Sequence, residues 1–147
     1  MKKIISVFLV AVVLCIGFLP GMNVNAKSYS QSEVDKEFEV IELNTSNYNN
    51  GTYTYGMVPY EFNKKGTKLT VIVDGSVKTY KIKKNIKRMY YQYEKADAYG
   101  DFYVYDKYDA LKSSRKEFKE GLSMMDGSLG FLIFVKNDKI VGYGFMS

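Results

Sequence analysis

The sequence predicts an α+β domain in which an antiparallel sheet of about five to seven strands carries one or two helices on one face. Three observations lead there. Apolar and polar residues alternate around two tight-turn signals, Asp74-Gly75 and Asn137-Asp138. Thr52-Tyr53-Thr54-Tyr55 alternates strictly, in residue types that fit a pleated surface. After Asn85, and again after Asp106, apolar residues recur at spacings of three and four, the period of a helix.

The chain begins with a predicted export signal. Met1-Lys2-Lys3 is positive, residues 4–19 are apolar apart from Ser6 and Gly17, and Pro20-Gly21 breaks the run before Val24-Asn25-Ala26. That order of features places signal-peptidase cleavage between Ala26 and Lys27. A retained anchor is the weaker reading, because the apolar run is near the short end for crossing roughly 30 Å of hydrocarbon. A lipid-anchored form is rejected, since Cys15 lies inside the apolar run and follows Leu14. The membrane is then met only through residues 1–26, and the product is expected in the medium or the cell wall.

Residues 27–36 are polar and without a period, so they are expected to form a flexible lead-in to a single domain over residues 37–147. Residues 38–43 are a strand candidate, followed by a loop over 44–47 and a turn at Asn49-Asn50-Gly51. A second strand runs from Thr52 toward Tyr60 or Phe62, and Pro59 places it at an edge or breaks it. A turn at residues 63–66 leads to the hairpin of 67–73 and 77–83 across Asp74-Gly75.

Ile86, Met89, Tyr90, Tyr93 and Ala96 predict a helix from Asn85 to Gly100, with a strand through Met89–Tyr93 as the competing reading. A short strand over 102–105 follows. Asp106 or Asp109 is then expected to cap a second helix, running to Gly121 with Leu111, Phe118 and Leu122 on one stripe. After a loop over 124–128, residues 129–135 are apolar on both faces, as in a covered central strand. Residues 140–146 return antiparallel, with Val141, Tyr143 and Phe145 on one face and Gly142 and Gly144 on the other. Paired glycines of that kind mark a close approach or a bent sheet.

Composition excludes several chemistries. The chain has no histidine, and its single cysteine, Cys15, belongs to the export signal. A Ser-His-Asp or Cys-His nucleophile, an imidazole base and the usual zinc site are therefore out of reach of residues 27–147. No P-loop or dinucleotide fingerprint is present, and Asp97, Asp101 and Asp106 lack the spacing of a calcium loop. No cofactor or metal is implied. The one catalytic arrangement the sequence allows is a glycosidase-like carboxylate pair drawn from Glu61, Glu94, Asp97, Asp101 and Asp106.

Loss of Lys2 and Lys3 with the signal takes the net charge from +5 to +3. The distribution matters more than the total. Lys78, Lys81, Lys83, Lys84, Lys87 and Arg88 form a block with no acid between Gly75 and Tyr93. Such a block can recruit a polyanion, or it can be a solvated strand edge guarded by lysine. All 14 tyrosines follow residue 26, in clusters at Tyr53, Tyr55 and Tyr60 and from Tyr90 to Tyr108.

Abundant Lys, Tyr and Asn with two Pro and no Trp point to an AT-rich Gram-positive source. The expected function is non-catalytic binding of a cell-wall polymer or an extracellular protein. The expected contact residues are Tyr90, Tyr91, Tyr93, Tyr103 and Tyr105, with Lys81, Lys83, Lys84, Lys87 and Arg88. Tyrosines among lysines also suit single-stranded nucleic acid, but an exported chain meets phosphate-rich wall polymers instead, and no specific nucleic acid is expected. The competing functions are an inhibitor or immunity-type protein that blocks a secreted enzyme, and a small carboxylate-dependent glycan hydrolase.

Overall fold

One long strand, Ser76–Gln92, organises the sheet. The computed structural model describes residues 26–92, 95–96, 99, 102–103 and 107–146, the side chains of 92, 95–96 and 102–103 excepted. Its strands are β1 (Lys27–Ser30), β2 (Glu39–Glu42), β3 (Asn44–Asn49), β4 (Thr52–Met57), β5 (Tyr60–Phe62), β6 (Lys68–Val73), β7 (Ser76–Gln92), β8 (Lys95–Ala96), β9 (Phe102–Tyr103), β10 (Lys107–Ser114), β11 (Gly130–Lys136) and β12 (Lys139–Met146). Two helices complete it, α1 (Gln31–Glu37) and α2 (Arg115–Ser123). Eight strands form one sheet in the order β1-β10-β7-β12-β11-β2, with β5 and β6 continuing from β7, while β3–β4 and β8–β9 are separate pairs.

Along one edge β7 pairs first with β6, from Ser76 to Lys81, and then with β10, from Asn85 to Gln92. Along its other edge it runs parallel to β12. The sheet is therefore mixed rather than purely antiparallel. Between Ile82 and Lys87, β7 spends four residues where β12 spends one, Val141, between Ile140 and Gly142. That excess bends the strand.

The bend explains why β7 imitates a helix in sequence. Ile86 and Met89 are an odd number of residues apart, so on a strand they point to opposite faces. Both are buried because the sheet has a core on each side: Ile86 joins Phe118, Leu122, Phe131 and Tyr143, whereas Met89 joins Val34, Tyr108 and Phe134. The helix expected from Asn85 is thus a strand as far as Gln92; the competing strand through Met89–Tyr93 matches it over residues 89–92, and Tyr93 lies outside the described residues. Alternation along β11 feeds both cores, with Phe131, Ile133 and Val135 on one side and Leu132 and Phe134 on the other.

The helices cover opposite faces, not one. On α2, Phe118 and Leu122 are fully buried, each contributing roughly 1.5–3 kcal/mol by leaving water. On α1, Val34 is fully buried against the second core. Residues 27–36 are therefore no flexible lead-in: they form β1, paired with β10, and most of α1. Their polarity reflects an edge strand and a helix with one buried position.

Both helices start in capping boxes. Ser30 and Glu33 exchange backbone and side-chain hydrogen bonds, as do Ser114 and Glu117. The second helix is accordingly capped by Ser114, not by Asp106, which lies outside the described residues, or Asp109, which is on β10 with Leu111. Residues 44–47, expected as a loop, belong to β3. Val141 leaves the face of Tyr143 and Phe145 because it is the bulged residue opposite β11, where Val135 pairs with Ile140 and Phe134 with Gly142. It packs against the second core instead.

The remaining turns follow the residue types. Asn50-Gly51 and Asp74-Gly75 have positive φ, and Asn137-Asp138 adopts 51° and 57°. Gly144 lies where β12 meets β7: a Cβ there would stand 2.6 Å from the Met89 carbonyl oxygen, whereas at Gly142 it would meet the flexible Met89 Cγ at 3.2 Å.

Two outcomes follow. Gly144→Ala should lower the free energy of urea unfolding by roughly 1–3 kcal/mol, as overpacking against backbone does, and Gly142→Ala by less. Hydrogen bonds from Ser113 and then Ser114 hold the Glu117 carboxyl below its ordinary pKa. Its stabilising effect is therefore present above about pH 4.3, the unfolded value, and is lost as the pH falls through the lowered one. Ser114→Ala should cost about 1 kcal/mol at neutral pH. The cost should shrink in acid unfolding series once Glu117 is protonated.

Candidate functional site

The bend in β7 leaves a notch on the edge where β6 stops and β10 has not begun. Pairing to β6 ends at Lys81↔Lys68, and pairing to β10 starts at Asn85↔Ser114. Arg115, the first residue of α2, reaches across this gap and donates from Nε to the Ile82 carbonyl at 2.9 Å. The notch opens into a groove of about 420 Å³ lined by eight residues, of which six are basic and none is acidic. They are Lys68, Lys81, Lys83, Lys84, Arg115 and Lys139, with Thr67 and Ile82.

Three of the lysines are in register on adjacent strands: Lys68 pairs with Lys81 across β6–β7, and Lys139 pairs with Lys81 across β12–β7. Their neighbours Leu69, Ile82 and Ile140 turn into the core, so the three ammonium groups project from the opposite face. Strand spacing puts neighbouring members of this row about 4.8 Å apart at the backbone. Like charges directly opposite one another are destabilising. Among the described residues, none of Lys68, Lys81, Lys83, Lys84 and Lys139 has an ion-pair partner. At this point β7 is paired on both sides, so a lysine-guarded sheet edge does not account for Lys81.

The structure divides the residues expected to act together. Lys81, Lys83 and Lys84 share the groove, whereas Lys78 pairs with Glu39 at 3.4 Å. Lys87 turns to the second core, where with Lys83 and Lys136 it rims a hollow of about 210 Å³ floored by Met89 and Phe134. Lys136 is there neutralised by Glu37 at 3.2 Å. Arg88 turns the other way, between the rings of Tyr90 at 4.8 Å and Phe145 at 5.0 Å. It lines a hollow of about 550 Å³ beside α2. In that hollow Ser113 and Tyr143 share a hydrogen bond of 2.9 Å, and burial pushes the Tyr143 hydroxyl up despite it.

Tyr90 and Tyr91 do not form one face. Tyr90 is 37% exposed beside Arg88, while Tyr91 packs on Tyr108 at 4.9 Å over the second core. Tyr103 is described in its backbone alone, and Tyr93 and Tyr105 lie outside the described residues. Of the candidate carboxylates, Glu61 is an exposed residue of β5 opposite Thr70, and Glu94, Asp97, Asp101 and Asp106 lie outside the described residues. Among the described residues no three acidic, His or Cys side chains gather where they could hold a metal ion.

Sequence reasoning missed Lys68, Arg115 and Lys139. Lys68 was within reach, since a two-residue turn at Asp74-Gly75 fixes the register that sets it opposite Lys81. Lys139 and Arg115 arrive only through the β12–β7 pairing and the placing of α2. Compared with protein-family models, with curated proteins and with solved structures, the chain matches none.

The row of like charges makes its own prediction. Lys81→Gln should raise the free energy of unfolding at low salt by roughly 0.2–1 kcal/mol. In chemical denaturation the gain should fade near 1 M salt, where the screening length drops to about 3 Å. Equal stability of the two proteins at low salt would mean that the lysines do not strain the sheet.

Proposed function

We propose that the chain is an exported, non-catalytic binding domain whose basic groove holds a phosphate-rich polyanion of the cell surface. Residues 1–26 direct it out of the cytoplasm, and residues 27–147 do the binding. The observation that carries this reading is the Lys68–Lys81–Lys139 row, extended by Lys83, Lys84 and Arg115, without an acid in the groove. A bound polyanion removes the mutual repulsion of these groups, so the same charges that weaken the free sheet strengthen the complex. Lysine suits the task, because a flexible ammonium follows a polymer of irregular shape where a rigid guanidinium fork would demand one geometry.

The polymer is bound along the groove, and its contacts are exposed. Affinity should therefore fall steeply with salt, by somewhat under one unit of log K per log unit of salt for each phosphate contact if the polymer condenses counterions as nucleic acids do. The test is sedimentation of residues 27–147 with purified Gram-positive walls, compared with walls stripped of their phosphate polymers. Wild type should be retained on intact walls at low salt and released as salt rises. Joint replacement of Lys68, Lys81 and Lys139 by Gln should flatten the salt slope by about two to three units. Equal retention on stripped walls, or a slope unchanged by the three replacements, would sink the proposal.

A further inference from the structure

We infer that the β3–β4 hairpin is a second binding surface, separate from the groove, and that it takes the face of an uncharged glycan. The hairpin turns at Asn50-Gly51, with φ of 51° and 82°, and forms its own two-stranded sheet. Its base is tied to the body where Asn44 Oδ1 accepts from the Phe131 N–H at 3.2 Å and where Gly127 lies against the Gly56 backbone. From Thr45 to Tyr55 every residue is exposed.

On one face of this ribbon stand three tyrosines. Tyr48 and Tyr53 are direct cross-strand partners, and Tyr55 follows Tyr53 on the same side, opposite Ser46. Ring centroids are 4.7 Å apart for Tyr48 and Tyr53 and 6.3 Å for Tyr53 and Tyr55. The side chains are nonetheless 65%, 61% and 56% exposed. The cross-strand pair Tyr48–Tyr53 has a structural role, since such a pair adds roughly 0.2–1 kcal/mol to a hairpin. Tyr55 has only a serine opposite, and its exposed ring adds little to the fold.

The chemistry of the surroundings selects the occupant. Residues 43–60 contain no charged side chain, in a chain a quarter of whose residues are charged. An anionic polymer finds no cation there, and a basic peptide finds no carboxylate. What the surface offers is a row of ring faces with hydroxyl groups at Ser46 and on the tyrosines. A sugar ring presents the complement, an apolar C–H face bordered by hydroxyls. A protein partner is less suited, because aromatic anchors of protein interfaces sit in packed pockets ringed by other contacts, and none of these tyrosines lines the three hollows described above.

The experiment uses residues 27–147 with two uncharged insoluble probes, chitin and cellulose, sedimented at about 1 M salt, where exposed charge contacts are screened. Wild type should be retained by at least one. Joint replacement of Tyr48, Tyr53 and Tyr55 by Thr, a strong strand former, should weaken retention about tenfold or more. Tyr53→Phe, which keeps the ring, should hold within about twofold of wild type. The Lys68, Lys81, Lys139 to Gln variant should be retained like wild type, so failure of the groove and failure of the hairpin are separate results. Retention by neither probe, or equal retention of the Thr variant, overturns the inference. So does a wild-type dimer that the Thr variant abolishes, which would make the row a self-pairing face.

Discussion

A strand paired on both edges and packed on both faces has no free direction, and β7 is in that position at its centre, at Lys81 and again from Lys87 to Met89. Its partners β6 and β10 share one edge, β12 pairs with the other from Lys81 to Met89, and cores lie above and below. Between β6 and β10 the strand bends, by the extra residues after Ile82. The rest is fitted to this bend. Gly142 and Gly144 give β12 no side chain where β7 comes closest, and the Val141 bulge keeps β12 in step with β11. Arg115 closes onto the Ile82 carbonyl that the bend leaves exposed between two partner strands.

The charge pattern is explained by the same geometry. On a straight strand Lys81 and Lys83 would share one face and Lys84 would take the other. On the bent one, Lys81, Lys83 and Lys84 converge on the notch, and Lys68 and Lys139 join from the flanking strands. Burial cannot relieve this repulsion, because the groups are exposed, and among the described residues no carboxylate pairs with them. Salt or a polyanion remains. Five acidic residues are used elsewhere: Glu33 and Glu117 cap helices, Glu37 and Glu39 pair with Lys136 and Lys78, and hydrogen bonds from Ser128 favour the ionised form of Asp126.

Six of the described tyrosines lie in two contrasting environments. Tyr80, Tyr108 and Tyr143 are buried and work as core residues, giving area and edge-to-face or tilted contacts such as Tyr108 with Phe134 at 5.4 Å. Tyr48, Tyr53 and Tyr55 are exposed on a ribbon that carries no charge. A high tyrosine content is therefore not one signal: the cluster from Tyr90 to Tyr108 sends Tyr108 into the core, whereas Tyr53 and Tyr55 of the other cluster stay exposed.

The sequence by itself determined what depends on neighbours along the chain. Asp74-Gly75 and Asn137-Asp138 fixed two hairpins, Pro59 broke a strand, and the apolar run of β11 announced a covered central strand, because turn dihedrals and two-residue alternation are local. The capping boxes at Ser30 and Ser114 were equally local, but the polar residues around Ser30 hid α1 from a search by period, and the strand residues before Ser114 moved the expected start of α2 to Asp106 or Asp109. Tertiary structure alone decided the rest. A strand buried on both faces has apolar residues at odd spacings and cannot be told from a helix by period, which is why Ile86 and Met89 misled. The groove needs Lys139 beside Lys81, fifty-eight positions away in sequence, and that pairing exists only because β12 enters parallel to β7 through a long crossover. Local rules specify which residues can form a strand; which strand lies beside it, and hence which charges meet, is set by how two cores pack around the bend.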